Sequence, residues 1–285
     1  MVNVQMSDKI SVIMAVYNAE KTLKEAVDSI LNQTYKNIEF IICDDASTDN
    51  SYKLLEEYAK KDDRIILIKN EVNSRLSFSL NHCLKYATGE YVARMDADDI
   101  SLPERLEKQM AFLKENPEYQ LVGTAMQRFN EKGLADIVYA VDNPDYYTLR
   151  NKIPFHHATI LTEKRMYDTV NGYTVSKRTM RAQDYDLWFR FYANGFKGTN
   201  MREALYLVRE DENAIRRRTF KVRYNAFKTT LIGFKLLKYP KTWLIRPAVE
   251  MVVKSIVPFK IVELYRALQK RKYLKNENSN HIGEN

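Results

Sequence analysis

The sequence predicts an α/β fold with a mostly parallel sheet and helices on both of its faces. Short apolar runs alternate with segments of helical periodicity over the first 115 residues, a pattern typical of parallel sheets. The runs are almost wholly apolar, as expected of strands that are buried on both faces. Polar clusters directly follow three of the runs, at residues 16–18, 44–47 and 96–99. Because ligands bind beyond the carboxyl ends of parallel strands, these clusters predict one shared site.

Four strands and four helices are predicted in alternation. The strands cover residues 10–16, 38–43, 65–68 and 91–95, and the helices cover residues 19–33, 47–60, 76–87 and 101–114. Leu23, Val27 and Ile30 illustrate the helical spacing of apolar residues in the first helix. The fourth helix is expected to begin at Ser101, because Ser101 and Glu104 have the spacing of a capping box.

Composition indicates a globular protein that works in a reducing compartment. Aromatic residues make up 12% and charged residues 29% of the 285 residues, which excludes a disordered chain. The only two cysteines, Cys43 and Cys83, are expected to be reduced cytosolic thiols, with neither a disulfide nor a zinc site. No secretory signal opens the chain. No apolar stretch reaches the roughly 18–20 residues of a membrane-spanning helix.

Charge divides the chain into three parts. The net charge is +8, but residues 216–275 hold 17 basic and two acidic residues, which leaves residues 1–215 mildly acidic. Residues 276–285 are polar and are expected to form a flexible tail. We therefore predict a folded domain at 1–215 and a basic helical extension at 216–275, divided into short helices by prolines.

The extension has two interpretations that the sequence leaves open. Its basic residues are interleaved with Phe, Tyr, Leu, Ile and Val. A helical cap on the folded domain, with solvated lysines, would show this pattern. An amphipathic helix that lies on an anionic membrane surface would show it as well. Nucleic-acid binding is not expected, because no recognised module is present.

Asp96 and Asp98 form the most informative motif, an Asp-x-Asp pair directly after a buried strand. Because strand side chains alternate, the two carboxylates are expected to point the same way. Paired carboxylates suit a hard divalent cation that completes its shell with water and phosphate oxygens. The motif therefore predicts a metal–diphosphate site. A solvated loop that caps a helix, and a phosphatase with an aspartyl nucleophile, are the alternatives.

Three further polar segments are candidates for the same site. The segment 44–49 can cap the following helix, and its carboxylates can also accept hydrogen bonds from a base or ribose. Residues 183–188 begin a predicted amphipathic helix, and the helix dipole alone accounts for acids in its first turn. Beside a metal–diphosphate site, a carboxylate there becomes a candidate general base. His156 and His157 lack partners at zinc-ligand spacing, which favours a structural role. The chain has neither a dinucleotide fingerprint nor a P-loop.

These motifs resemble those of the family 2 glycosyltransferases, which are inverting enzymes of the Rossmann-like GT-A fold. The matching segments are 11–18, 29–35, 42–49, 89–98, 102–106 and 183–188, in order and at family spacing across residues 9–210. The resemblance implies a nucleotide-sugar half at about 9–100 and an acceptor half at about 101–215.

The resemblance also assigns roles to individual residues. It implies that Asp184 is the catalytic base and that Asp98, with Asp96, binds Mn²⁺ or Mg²⁺. The residues expected to contact the nucleotide-sugar are Val16, Tyr17, Asn18, Asp45, Arg75, Arg94 and Asp96. Those expected on the acceptor side are His157, Gln183 and Trp188. Three positions depart from the family pattern: Ala15 replaces Pro, Arg75 replaces Gly and Gln183 replaces Glu.

The implied function is transfer of a sugar, with inversion, from a nucleotide donor to a hydroxyl group. A UDP-sugar is the favoured donor, and a lipid-linked glycan of bacterial capsule, exopolysaccharide or O-antigen synthesis is the expected acceptor. Such an enzyme is expected to be cytoplasmic and peripheral to the inner face of the cell membrane. The alternative is an inactive GT-A-like protein that serves as a membrane-associated interaction partner.

Overall fold

The computed structural model describes residues 8–210 and 219–256. The strands are β1 Ile10–Val16, β2 Ile38–Asp44, β3 Ile65–Lys69, β4 Tyr91–Asp96, β5 Ile100–Ser101, β6 Leu121–Asn130, β7 Gly133–Val138, β8 Leu161–Glu163 and β9 Gly198–Arg209. The α-helices are α1 Leu23–Leu31, α2 Ser51–Ala59, α3 Leu76–Tyr86, α4 Arg105–Glu115, α5 Lys164–Val170, α6 Gln183–Ala193, α7 Phe220–Leu236 and α8 Ile245–Ile256. Short 3₁₀ helices cover Tyr146–Arg150, His157–Thr159 and Lys241–Leu244.

The strands form one nine-stranded mixed sheet. Its order is β3-β2-β1-β4-β8-β6-β9-β5, and β7 pairs with β6. The four strands of the nucleotide-sugar half are parallel, as predicted. Beyond β4 the strands are no longer all parallel. β8 is antiparallel to both β4 and β6, whereas β6 and β9 are parallel to each other. The predicted α/β class is therefore confirmed, and the mixed part of the sheet lies in the region that the resemblance assigns to the acceptor half.

Alternate residues of the central strands enter two separate cores. Val12 and Met14 of β1 pack in one core with Leu55 of α2. Ile13 lies on the other face and packs in a second core with Leu80 of α3 and Leu187 of α6. Helices therefore cover both faces of the sheet, which is why its central strands carry almost no polar residues.

The start of α4 differs from the prediction. Ser101 belongs to β5, and the residue that precedes α4 is Glu104, whose side chain makes no capping hydrogen bond. Instead, the buried Gln33 side chain accepts a hydrogen bond from the Leu106 backbone N–H at 3.1 Å and donates one to the Leu102 carbonyl at 2.8 Å. The predicted capping box is therefore wrong, because a side chain distant in sequence satisfies this helix end.

The described part of the extension packs on the folded domain through α7. The Phe234 ring of α7 lies 5.9 Å from the ring of Phe189 in α6. The Thr229 hydroxyl donates a hydrogen bond to the Arg178 carbonyl at 3.1 Å. Gly233 permits this close contact, since a Cβ there would lie 2.1 Å from the Phe189 ring. The cap interpretation therefore applies to α7.

The prolines of the extension have different effects. Pro240 lies between α7 and the following 3₁₀ helix, as predicted, whereas Pro247 is the third residue of α8 and does not interrupt it. The first turn tolerates proline because its N–H groups have no helical partner. Pro258, the basic residues 216–218 and the polar tail 276–285 lie outside the described residues. Over residues 8–210 and 219–256, no helix is long and apolar enough to cross a bilayer.

Candidate active site

The three polar clusters meet at one edge of the sheet, as predicted. In the β1–β2 and β1–β4 registers, Val16 is opposite Asp44 and Ala15 is opposite Asp96. The Asp45 backbone N–H donates a hydrogen bond to the Val16 carbonyl at 2.7 Å. The carboxyl ends of β1, β2 and β4 therefore form a continuous rim that holds the candidate site.

Asp96 ends β4 and is paired with Arg94 on the same strand. Both Asp96 oxygens accept hydrogen bonds from the Arg94 guanidinium group. Burial lowers the pKa of Arg94, but the Asp96 charge outweighs burial and raises this pKa overall. The pair engages both Asp96 oxygens, but each oxygen keeps a second lone pair, so Asp96 and Asp98 both have acceptor capacity for a ligand.

The surroundings of Asp98 and Asp99 disfavour the ionised form of both carboxyl groups. Asp98 faces solvent in the turn, yet desolvation and the nearby Asp96 charge raise the pKa of its carboxyl. Asp99 is buried, and burial together with the charges of Asp96 and Asp98 raises its pKa to about 8. Acidic groups with raised pKa values in one turn are what a bound cation would stabilise in ionised form.

The residues of this turn fit a divalent cation held mainly by its substrate. No group of three His, Cys, Asp or Glu side chains that could hold a metal ion occurs in the part of the chain that the structure describes. A cation that shares the diphosphate of a nucleotide needs only one or two protein carboxylates. Asp98 can supply one of them.

Residues at the end of β9 form hydrogen bonds with the acidic turn, residues 96–99. The Arg209 backbone N–H donates a hydrogen bond to Asp99 at 2.8 Å, and its guanidinium group donates one to the Asp98 carbonyl at 3.0 Å. The Tyr206 hydroxyl accepts a hydrogen bond from the Asp96 backbone N–H at 3.1 Å. Nothing in the sequence around Arg209 and Tyr206 indicated these contacts, because they join residues about 110 positions apart.

Asp45 organises the loop before α3. Its buried carboxylate accepts hydrogen bonds from the Asn70 side chain at 2.7 Å and from the backbone N–H groups of Ser74 and Arg75, each at 2.8 Å. Arg75 has a φ of 75°, a conformation that favours glycine. A glycine, which the resemblance implies at this position, would adopt this φ without strain. In this chain, the hydrogen bonds to Asp45 hold Arg75 in that conformation.

The loop after β1 is joined to the loop after β2. Asn18 has a φ of 51°, and its side chain accepts a hydrogen bond from the Thr48 backbone N–H at 2.8 Å. The Asn18 backbone N–H donates to the Ser47 hydroxyl at 3.0 Å. Tyr17 is about half exposed beside them, whereas Val16 is buried. Tyr17 is therefore the aromatic ring of this loop that a base could contact.

Three side chains joined by hydrogen bonds, His157, Tyr173 and Tyr167, lie in the region that the resemblance assigns to the acceptor. His157 Nε2 lies 2.8 Å from the Tyr173 hydroxyl, which lies 2.8 Å from the Tyr167 hydroxyl. Burial, and then the Arg94 charge, lower the pKa of His157 well below its usual value, so the ring is neutral at pH 7. Trp188 is fully buried, with its ring 5.9 Å from that of His157. The Trp188 ring therefore packs edge-on against the His157 ring.

Helix α6 begins with Gln183 and Asp184, close to Tyr173. The Tyr185 backbone N–H donates a hydrogen bond to Asp184 at 2.8 Å. Burial raises the pKa of Tyr173 well above its usual value; the Asp184 charge adds to the increase and the Arg94 charge opposes it. Asp184 and Arg94 are therefore both within electrostatic reach of Tyr173. Sequence reasoning missed Tyr173, because a lone tyrosine in a loop gives no signal.

The match with a known family agrees with this geometry. The family model described as Glycosyl transferase family 2 matches residues 11–180. The chain belongs to glycosyl transferase family 2. It is therefore a glycosyltransferase, an enzyme of class EC 2.4, as the motifs predicted.

Two relatives support the same assignment. The chain is 44% identical to the putative glycosyltransferase EpsE of Bacillus subtilis, over 90% of this chain and 92% of EpsE. It is 34% identical to the O-antigen biosynthesis glycosyltransferase WbnJ of Escherichia coli, over 66% of this chain and 73% of WbnJ.

Two solved structures show the same fold. The S. aureus TarS fragment 1–349 in complex with UDP-GlcNAc superposes with a TM-score of 0.67 at 19% identity, over 86% of this chain and 72% of that one. The mannosyltransferase PcManGT of Pyrobaculum calidifontis, in complex with GDP-Man and Mn²⁺, gives 0.60 at 19% identity, over 95% and 82%. Both identities are low enough that the likeness concerns the fold alone.

Proposed function

We propose that this family 2 glycosyltransferase transfers a sugar, with inversion, from a UDP-sugar to a hydroxyl of a lipid-linked glycan in bacterial polysaccharide synthesis. The observation that carries the proposal is the rim where Tyr17, Asp45 and the acidic turn at Asp98 meet. A nucleotide could contact Tyr17 and the Asp45 loop while its diphosphate reaches Asp98. The UDP-GlcNAc bound to TarS and the name of WbnJ favour this choice of donor and pathway class.

We assign Mn²⁺ or Mg²⁺ as the cofactor, with Asp98 as its protein ligand. The Mn²⁺ named with PcManGT supports a divalent metal in this fold. When bound, such a cation would offset the charge that develops on the leaving diphosphate. Asp96, paired with Arg94, would keep the turn in place beside it.

Asp184 is the proposed general base. Its place in the first turn of α6, near His157 and Tyr173, suits a group that takes the proton of an acceptor hydroxyl. The oxygen of that hydroxyl then attacks the anomeric carbon from the face opposite the leaving diphosphate. One displacement inverts the anomeric configuration and forms no covalent intermediate with the enzyme.

A lipid-linked acceptor implies work at a membrane surface. The basic extension is the part of the chain that would meet anionic lipid, and we place the enzyme at the inner face of the cell membrane. Residues 216–275 carry 17 of the 45 basic residues, which suits electrostatic attraction to such a surface.

A thermal-shift screen tests the donor site. UDP, dTDP, GDP and CDP are each added with and without Mn²⁺ to the wild type, to Asp98→Asn and to Asp63→Asn, an exposed aspartate distant in sequence from the motif. We expect UDP with Mn²⁺ to stabilise the wild type and Asp63→Asn, by about 2.7 kcal/mol at a hundredfold excess over Kd. Asp98→Asn should lose this shift. An equal shift in Asp98→Asn would contradict the metal assignment.

A further inference from the structure

Helix α8 has an apolar face that the described structure leaves exposed. Its five exposed apolar residues are Ile245, Val249, Val252, Val253 and Ile256. Their spacing of four, three, one and three residues places them within a sector of about 100° on a helix of 3.6 residues per turn. The most exposed, Ile256, has 74% of its surface open to solvent. The stripe contains no charged residue.

The opposite side of α8 faces the folded domain. Ala248 and Met251 are half-buried there, and α8 follows directly on the 3₁₀ helix Lys241–Leu244. The Trp243 ring of that helix lies 5.1 Å from the Tyr239 ring and 4.2 Å from the Arg150 guanidinium group. α8 is therefore attached to the domain along one side, and the stripe points away from it.

The size of the stripe argues against a stable protein partner. A helix of 12 residues is about 18 Å long and about 10 Å wide, so the stripe covers only about 200 Å². A stable protein interface buries roughly 800 Å² on each partner. The stripe is much smaller, whereas an interfacial helix needs only a narrow apolar face.

Charge around the stripe argues for anionic lipid. Lys235 and Lys238 near the end of α7 and Lys241 before α8 are exposed. Arg246 of α8 is exposed as well, but it forms an ion pair with Glu250 at 2.9 Å and donates a hydrogen bond to Asn151. By sequence, residues 257–275 add six basic residues and one acidic residue. An apolar stripe with basic neighbours is the pattern of helices that lie in the headgroup region of anionic membranes.

We propose that α8 inserts this stripe into the headgroup region of an anionic bilayer, while α7 connects it rigidly to the catalytic domain. The proposal deepens the proposed function, on which it rests, by naming the residues that contact lipid. α7 packs along α6, the helix that begins with Gln183 and Asp184. Insertion of α8 would therefore fix the acceptor side of the site relative to the membrane surface.

Vesicle co-sedimentation of the full chain tests the proposal. The test variant is Val249→Asp combined with Val253→Asp, and the control is Leu134→Asp combined with Ile137→Asp, two exposed apolar residues of the edge strand β7. We expect the wild type and the control to bind phosphatidylglycerol vesicles and to ignore phosphatidylcholine vesicles. The test variant should need about tenfold more lipid or worse, with an unchanged Tm and an unchanged nucleotide-induced shift.

Three results would overturn the proposal. The first is equal binding of the test variant and the wild type to phosphatidylglycerol. The second is equally strong binding of the wild type to phosphatidylcholine. The third is a wild-type dimer in light scattering that the test variant converts to a monomer, since the stripe would then be an interface between copies. The nucleotide shift is scored separately, so failure of the donor site and failure of the membrane contact are distinguishable.

Discussion

Two carboxylates in the first turn of α6 have different surroundings, and this difference separates their roles. Asp186 is buried, and its carboxylate binds Arg178 at 2.6 Å, Arg190 at 2.9 Å and the Thr174 hydroxyl at 2.6 Å. Burial raises the pKa of Asp186, but the Thr174 hydrogen bond and the two arginines outweigh it and lower this pKa. Asp186 is therefore a structural residue, and Asp184 stays the proposed base of this turn.

We expect Asp184→Asn and Asp186→Asn to fail in different ways. Asp184→Asn should lower the rate of transfer by about 10²–10⁴-fold, because it removes the proposed proton acceptor, while Tm changes little because the amide oxygen can still accept the Tyr185 N–H hydrogen bond. Asp186→Asn should instead destabilise the fold, by about 1.5–3 kcal/mol, because it replaces charged hydrogen bonds to two partly exposed arginines with neutral ones. Initial rates and chemical denaturation of both variants provide the measurement. Full activity in Asp184→Asn would remove it from the mechanism.

The candidate site shows what residue types can and cannot predict. Asp98 stood out because it belongs to an Asp-x-Asp pair directly after a buried strand. Asp184 was singled out only by the family resemblance, because acids in a first helical turn are commonly structural. Asn81 did not stand out, although its side chain binds both the backbone N–H and the carbonyl of Tyr173, at 2.7 and 2.8 Å. Such pairs of hydrogen bonds join distant parts of the chain, and an isolated Asn in a helix does not indicate them.

At the level of elements, the nucleotide-sugar half was predictable and the acceptor half was not. β1 to β4 and the helices between them were found from apolar runs and helical periodicity, with ends shifted by a few residues. β8 has only three residues, and β7 is an exposed edge strand. Short or exposed strands lack the apolar pattern on which such predictions depend. The positions of these strands are set by pairing with strands distant in sequence, so the periodicity of the sequence does not reveal them.

Glu39 joins β1 and β2 to the loop that precedes β4, at the edge of the sheet opposite the site. It lies in β2, and its carboxylate accepts hydrogen bonds from the Ser11 hydroxyl of β1 and the Thr88 backbone N–H, each at 2.6 Å. Lys9 completes the cluster with an ion pair at 2.6 Å. Burial raises the pKa of Glu39, but these partners outweigh burial and lower it to about 2.

This cluster should make stability fall in acid. Because the folded-state pKa of Glu39 lies below the unfolded value, its contribution is fully present above about pH 4.5 and is lost as pH falls toward 2. The shift corresponds to about 3 kcal/mol. We expect Glu39→Gln to lose most of this stability at pH 7 and to show a shallower decline between pH 4.5 and pH 2.5 in urea unfolding. Parallel curves for variant and wild type would contradict the assignment.

The contact between α6 and α7 depends on the absence of a side chain at Gly233. We expect Gly233→Ala to destabilise the protein by about 1–3 kcal/mol, because the buried Phe189 ring leaves no room for a Cβ. This cost exceeds the gain of about 1 kcal/mol that alanine normally gives a helix. Lys235→Ala, at an exposed position of the same helix, is the control and should change Tm little. Equal Tm values for the two variants would mean that α7 does not pack tightly.

Across the whole molecule, charge separates the catalytic domain from the extension. Residues 1–215 carry a net charge of −5, and residues 216–275 carry +15. The domain therefore has no general attraction to anionic surfaces, while the extension does. Because α7 packs against the side of α6 near the acceptor half, this asymmetry would turn that side of the enzyme toward an anionic membrane.

Salt should therefore release the enzyme from lipid without inactivating it. The screening length falls from about 10 Å at 0.1 M to about 3 Å at 1 M ionic strength, which weakens attraction between the extension and anionic vesicles. We expect vesicle-bound protein to decrease several-fold between 0.1 and 1 M NaCl, while the Tm shift produced by UDP and Mn²⁺ changes little. Binding that is unchanged at 1 M NaCl would mean that the apolar stripe of α8 acts alone and that the +15 charge of the extension has another partner.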